Sequence, residues 1–324
     1  MSQRARKQKA ARAFDVVVVG GANYDYSAFS EQLPGPGDTV EGGKIDDAPG
    51  GKGANQAVAA ARLGARVAFI GRVGKDDRGD RIFAGLQREG IDTTHLRRDP
   101  KAPTGVALIH VNAKGEKQIL AVGGANRQVT AKDIRAAASI IQRAQVLMLQ
   151  LEVPLAATME AARIAHRAGV KIVLDPAPAI PLPEKLLRLL TLIKPNAGEA
   201  KTLTKLTVKD RASARRAAKK LLSRGTQAVA ITAGTQGNLV VSAEGEWWHP
   251  RLPVKSVDAT GAGDASAAAL AVMLAEGRSL QEAGSFASAA AALTTTIVGA
   301  QASLPTRRAV QALARRSDQP RHRA

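Results

Sequence analysis

The stretch Val257-Asp258-Ala259-Thr260-Gly261-Ala262-Gly263-Asp264 runs directly into the alanine-rich segment Ala265 to Glu276, whose composition favours a helix. The first N–H groups of a helix lack intrahelical partners and carry the positive end of its dipole, so anions collect there. Gly261, Ala262 and Gly263 have little or no side chain, which lets a phosphoryl oxygen approach the backbone donors. Asp264 then falls in the first turn, kept ionised by the dipole and able to take a proton from an attacking hydroxyl. Taken alone, the pattern is more simply an N-cap after a tight turn. The rest of the chain decides.

Outward from this loop, short β-branched runs alternate with alanine-rich helical stretches, the pattern of βαβ units and a mostly parallel sheet. Strands are expected at Phe14 to Val19, Val67 to Ile70, Val146 to Leu151, Lys171 to Leu174, Leu192 to Ile193, Ala228 to Thr232 and Leu239 to Val241. Helices are expected at Asn55 to Leu63, Asp80 to Glu89, Leu155 to Ala168 and Ala212 to Arg224. The expected fold is therefore α/β: a doubly wound, mostly parallel sheet flanked by helices. Two segments break the alternation, Thr39 to Asp46 and a hairpin of Thr104 to Val111 with Gln118 to Val122. They are expected to form a small β-sheet lid, residues 39–46 and 104–122, which could exclude water from a phosphoryl transfer.

The 324 residues carry a formal net charge of +19 and no cysteine. Absence of thiols excludes disulfides and thiolate metal sites, and suits a reducing compartment. No apolar run reaches the ~18 residues of a membrane span, so a cytoplasmic protein is expected. Much of the charge lies at the ends: residues 1–13 carry +5, and residues 306–324 another +5. These basic tails are expected to be disordered and solubilising around a single domain, residues 14–305, with nucleic acid met only through nonspecific contacts.

A second glycine cluster, Gly50-Gly51-Lys52-Gly53-Ala54-Asn55-Gln56, again precedes a helix. It is not a Walker A loop, because Gly53 rather than Ser or Thr follows Lys52. Exposed backbone with Lys52 and Asn55 suits a polyhydroxylated ligand. Asn23 and Asp25 follow the first strand, where α/β folds bind ligands, and could grip vicinal hydroxyls. Each alone is more often a turn residue.

Together, Gly50 to Arg62 and Asp258 to Asp264 resemble the two signatures of the PfkB sugar kinase family. Matches between them include Thr104-Gly105-Val106-Ala107-Leu108, Gln150-Leu151-Glu152, Asp175-Pro176-Ala177-Pro178-Ala179, Lys194-Pro195-Asn196 and Gly299-Ala300-Gln301, so the resemblance spans about Val16 to Pro305. It implies ATP-dependent phosphorylation of a sugar's primary hydroxyl, with Asp264 as base and the backbone of Ala262, Gly263 and Asp264 as anion hole. By the same resemblance Asn23, Tyr24, Asp25, Gly51, Lys52, Gly53, Ala54, Asn55 and Glu152 fall at substrate positions. Tyr24 and Tyr26 depart from the family pattern, and either narrow the sugar site or pack under the lid.

On the nucleotide side, the resemblance implies Asn196 and Glu199 as an N-x-x-E element organising Mg²⁺ and phosphates. It also implies Thr232-Ala233-Gly234-Thr235-Gln236-Gly237 as an ATP loop, and Ser288 as a nucleotide contact. A monovalent cation, K⁺, is implied at Asp258, Thr260, Thr294, Ile297, Gly299 and Ser303, and a homodimer through the lid. Scarce aromatics argue against a nucleoside base platform. D-ribose is then the expected acceptor, with fructose or adenosine as alternatives, and a noncatalytic polyanion-binding protein on the same fold as the reading of a different class.

Overall fold

The computed structural model describes residues 12–318. Its strands, in chain order, are β1 (Phe14–Val19), β2 (Asn23–Ser30), β3 (Lys44–Gly50), β4 (Val67–Gly74), β5 (Asp92–Asp99), β6 (Gly105–Asn112), β7 (Lys117–Val122), β8 (Ala144–Leu149), β9 (Lys171–Leu174), β10 (Leu192–Ile193), β11 (Ala228–Thr232), β12 (Gly237–Ser242) and β13 (Gly245–Pro250). Nine of them form the main sheet in the order β13-β12-β11-β10-β9-β8-β1-β4-β5. All nine pair in parallel except β12 and β13, which close one edge antiparallel.

Alternation along β1 divides the core. Val16 and Val18 face one apolar layer with the helices Lys52–Arg62, Ala262–Ala275 and Leu280–Thr294, while Val17 and Val19 face another with Leu155–Arg167 and Arg211–Leu222. Each such fully buried side chain contributes roughly 1.5–3 kcal/mol. Connections run outward in opposite directions on the two sides of β1, towards β4 and towards β8. That reversal places a crevice at the carboxyl ends of β1 and β8, beside Gly20, Gly21, Gln150 and Glu152.

The lid is a four-stranded sheet, β3-β2-β6-β7. Its β6–β7 hairpin has the expected register, Val111 opposite Lys117. Two expectations change. The first lid segment is a strand only from Lys44, so residues 39–43 are irregular and the strand continues to Gly50. The turn expected around Asn23 and Asp25 is instead β2, which pairs with β3 and β6 and carries those residues into the lid. Their polar side chains hid the strand pattern.

The C-terminal segment also departs from the expected basic tail. Arg307–Asp318 is a helix, Val310 is fully buried, and Leu313 and Ala314 pack on the core. Arg307 bonds the Leu63 carbonyl at 3.1 Å and Glu276 at 2.9 Å. Arg308 and Arg315 are exposed on an amphipathic helix whose apolar stripe docks, so charge composition alone misjudged it. Residues 1–11 of the basic N-terminal tail, and residues 319–324 at the other end, lie outside the described residues. Arg12 reaches the Gly169 carbonyl at 3.1 Å. No helix among the described residues is long and apolar enough to cross a membrane.

Candidate active site

The helix Ala262–Ala275 is buried from Asp264 to Leu274, so its first turn is held by core packing. Gly261 caps it with φ of 81°, a left-handed conformation that glycine adopts without steric cost. Ala262 spends its N–H on the Ala259 carbonyl at 3.2 Å. The expected three-donor anion hole therefore narrows to two: among the described residues, the N–H groups of Gly263 and Asp264 have no protein acceptor.

Asp264 is 5% exposed and accepts at both oxygens, from Asn55 Nδ2 at 3.1 Å and Gln56 Nε2 at 3.1 Å. Gln56 also donates to Asp175 Oδ2 at 2.9 Å, while its own oxygen accepts from Gln150. Asn55 accepts from Gln301 at 3.2 Å, so its amide orients the base as well as lining the cleft. Lys194, nearly fully buried, donates to the Gly263 carbonyl at 3.0 Å from beneath the hole.

The second glycine cluster packs where the helix Lys52–Arg62 meets β1 and β2. Gly51 has φ of 85°, and a Cβ there would lie 2.6 Å from the Asn23 nitrogen, so the position admits only glycine. Glu152 Oε2 accepts from the Lys52 N–H at 2.8 Å, capping the helix start from the end of β8. Ala54 gives its N–H to the Gly21 carbonyl at 3.0 Å and is fully buried. Ala54 is thus packing rather than the expected substrate contact.

Asn23 and Asp25 share one face of β2, and Tyr24 and Tyr26 the other. Tyr24 is therefore not the expected sugar contact. Its hydroxyl donates to Asp47 at 2.5 Å and accepts from Arg81 at 2.6 Å, and its ring packs against Tyr26 with centroids 5.5 Å apart. Asn126 Nδ2 donates to Asn23 Oδ1 at 2.8 Å and fixes its orientation. Asp25 Oδ1 is buried with no hydrogen-bond partner among the described residues, an acceptor open to hydroxyl donors.

Carboxylates crowd this crevice. Burial, with the charge of Asp264, pushes Asp25 up to about 7. Burial also raises Glu152 to about 7, with Asp264 and Asp25 adding to it and Lys52 opposing. Asp264 is raised chiefly by burial, with Lys52, Gln56 and Asn55 holding it down against Asp175. Burial works against the Lys52 charge, but Asp264, Asp175, Glu152 and Glu199 outweigh it and hold the ammonium above its ordinary value. The arrangement is a cationic post among proton acceptors.

On the far side of the anion hole, Asn196 and Glu199 form a capping box at the start of helix Ala197–Thr204. The Thr232 N–H bonds the Pro195 carbonyl at 3.1 Å, which ties this box to the loop after β11. That loop, Ala233 to Gly237, includes a 3₁₀ turn at Gly234–Gln236. Ser288 accepts from Asn238 at 2.9 Å and shares a narrow cleft with Thr232, Lys194 and Ser266. Of the expected nucleotide-side residues, Thr232 thus meets both Asn196 and Ser288. Burial and Asp175 raise Glu199, so a cation carried in on a nucleotide would favour its charged form.

The expected monovalent-cation set is only partly assembled. Asp258, Thr260 and Gly299 meet, yet Asp258 Oδ1 is taken by Lys117 Nζ at 2.7 Å and by Thr260, and Oδ2 by the Gly299 N–H at 2.9 Å. The Thr294 hydroxyl bonds back to Ala290, the Ser303 hydroxyl to Ala300, and Ile297 is exposed. The Asp258 carboxylate oxygen Oδ1 does not fit a free cation, because an ammonium already stands there.

Gln56, Asn126, Gln150, Asp175, Lys194 and Gln301 are site residues that the sequence reading did not select. Gln56 and Asp175 could have been found from position: one lies in the second glycine cluster, the other just beyond the carboxyl end of β9. Asn126 gave no signal.

A buried carboxylate at a helix start, with two open N–H groups and a polar crevice at parallel strand ends, defines a small-molecule phosphotransferase. Residues 13–307 match the model of the pfkB family carbohydrate kinases, and the chain belongs to that family. It is similar to the ribokinase of Haemophilus influenzae, at 41% identity over 293 residues, covering 90% of this chain and 95% of that protein. The ribokinase of Mus musculus is 41% identical over 295 residues, covering 90% and 91%. The structure of Arabidopsis thaliana ribokinase complexed with ribose and ATP matches with a TM-score of 0.85 at 32% identity, covering 93% of this chain and 99% of that one.

Proposed function

We propose that this carbohydrate kinase transfers the γ-phosphoryl group of ATP to the primary 5-hydroxyl of D-ribose, giving ribose 5-phosphate and ADP. The observation that carries the reading is the pairing of Asp264 with the open Gly263 and Asp264 N–H groups in one helical turn. The O5–P bond forms as the bond from the γ-phosphorus to the β-bridging oxygen breaks, and the O5 proton passes to the Asp264 carboxylate. The two N–H groups and Lys52 offset negative charge on the transferring group. Mg²⁺, held through Glu199 and Asn196 by way of water, would supply further charge neutralisation to the phosphates.

Ribose is favoured because the crevice offers Asn23, Asp25, Lys52, Asn55 and Glu152 to hydroxyls while both tyrosines face away. A nucleoside acceptor would lack an aromatic platform there. Measuring ADP release with ribose, 2-deoxyribose, fructose and adenosine tests this. The reading expects the highest kcat/KM with ribose; preference for fructose or adenosine overturns the ribose assignment, and silence with every acceptor overturns the kinase.

One face of the lid, that of Tyr24 and Tyr26, leaves Ile45, Leu108, Leu120 and Val122 about half or more exposed. A second copy covering this face with its own lid accounts for so much apolar surface, so the active form is taken as a homodimer. A cytoplasmic location, in keeping with the cysteine-free chain, belongs to the same reading.

A further inference from the structure

Lys117 opens β7 at the rim of the lid, and its ammonium donates to Asp258 Oδ1 at 2.7 Å and to the Thr260 hydroxyl at 2.5 Å. The two acceptors belong to the loop that enters the helix of Asp264. Asp258 Oδ1 also accepts from the Thr260 N–H at 3.0 Å and its hydroxyl at 2.7 Å, and Oδ2 from Gly299 at 2.9 Å. One carboxylate thus joins three separate parts of the chain: the lid, the anion-hole loop and the turn before helix Ala300–Ser303. The pair is partly shielded, with 29% of the Lys117 side chain and 12% of the Asp258 side chain exposed.

Resemblance to the family implies a free monovalent cation at Asp258 and Thr260, and the geometry disagrees. A second positive charge at Asp258 Oδ1 would meet the ammonium within a few ångströms, and the Thr260 N–H and hydroxyl crowd the same oxygen. Burial works against the Asp258 charge, but the Lys117, Gly299 and Thr260 donors outweigh it and hold the carboxyl far below its ordinary range.

We propose that Lys117 is a tethered cation that replaces a free monovalent ion at the anion-hole loop, so that an ammonium carried by the lid, rather than bound K⁺, orders Gly261 to Asp264 for phosphoryl transfer. Lys117 is a positioning residue: it touches neither substrate nor reacting atoms. Because β7 carries the ammonium, the lid and the anion-hole loop are held together through Lys117.

The inference rests on the kinase reading, so its test includes a readout without turnover. The intact protein and Lys117→Met are each titrated with KCl against tetramethylammonium chloride at fixed ionic strength. Both kcat with ribose and the melting temperature without substrates are recorded. The intact protein should respond less than about twofold in kcat and show no K⁺-specific shift in melting temperature. Lys117→Met should lose kcat roughly tenfold or more with little change in ribose KM, then regain part of it in K⁺ together with a K⁺-specific rise in melting temperature. Lys117→Arg, which keeps the charge, should stay K⁺-independent. Several-fold K⁺ activation of the intact protein, or a Lys117→Met variant indifferent to K⁺ in both readouts, overturns the proposal. Should the variant fail to fold, the titration of the intact protein decides alone. Absence of turnover with every acceptor would reject the kinase reading, leaving the melting-temperature comparison to judge the tethered cation.

Discussion

Gln56 donates its side-chain amide to Asp264 Oδ1 at 3.1 Å, and the same nitrogen donates to Asp175 Oδ2 at 2.9 Å. A neutral amide thereby keeps two buried carboxylates apart while orienting the catalytic one. Replacing it with the similarly sized but non-donating Gln56→Met removes a hydrogen bond to a charged group, worth about 1.5–3 kcal/mol. If that bond matters in the transition state, kcat falls roughly 10- to 100-fold. Asp264 would also protonate more readily, so the acid limb of the kcat profile moves to higher pH. A variant with native kcat and an unmoved limb would show that Gln56 only fills space.

Asp25 makes stability depend on pH in an unusual direction. Its carboxyl stands at about 7 in the folded chain, whereas an unfolded chain releases that proton near pH ~4. Between these values the folded state holds the extra proton, so the contribution is fully present below about pH 4 and is lost as pH rises through 7. Asp25→Asn removes the loss. Calorimetry without ligands should therefore find the variant's advantage in melting temperature larger at about pH 8 than at about pH 5, by about 2 °C or more. An advantage that shrinks with rising pH contradicts the assignment.

Much of this architecture was legible beforehand, and its gaps have physical causes. Strands β1, β9, β10 and β11 were read to the residue because they are buried on both faces and carry largely uninterrupted apolar runs. Strand β2 was not, because Asn23 and Asp25 put polar groups on the face that closes over the crevice. Asp264 and the second glycine cluster were legible from spacing. Gln56 lies in that cluster, but Asn126, which holds Asn23, and Lys194, which bonds the Gly263 carbonyl, act across 103 and 69 positions of sequence, and spacing carries no trace of such partners. The docked helix Arg307–Asp318 was hidden by its own arginines.

The exposed lid face yields a prediction about assembly. Leu120 stands opposite Leu108 in the β6–β7 hairpin, on the lid face of Tyr24 and Tyr26 and away from Asn23 and Asp25, and is 62% exposed. Placing a charge there with Leu120→Arg should convert a dimer to a monomer in sedimentation at micromolar concentration, because burying an unpaired guanidinium costs several kcal/mol. A native protein that sediments as a monomer contradicts the clasp.

Asp264 is the group that takes the acceptor's proton, and its replacement is the most direct test. Asp264→Asn keeps the side chain's shape and leaves the backbone N–H donors of positions 263 and 264 in place, so calorimetry should find ribose and ATP bound within a few-fold of native affinity. Turnover measured as ADP release with ribose should fall by about 10²- to 10⁴-fold. Turnover within about tenfold of native, with binding intact, would contradict the central claim.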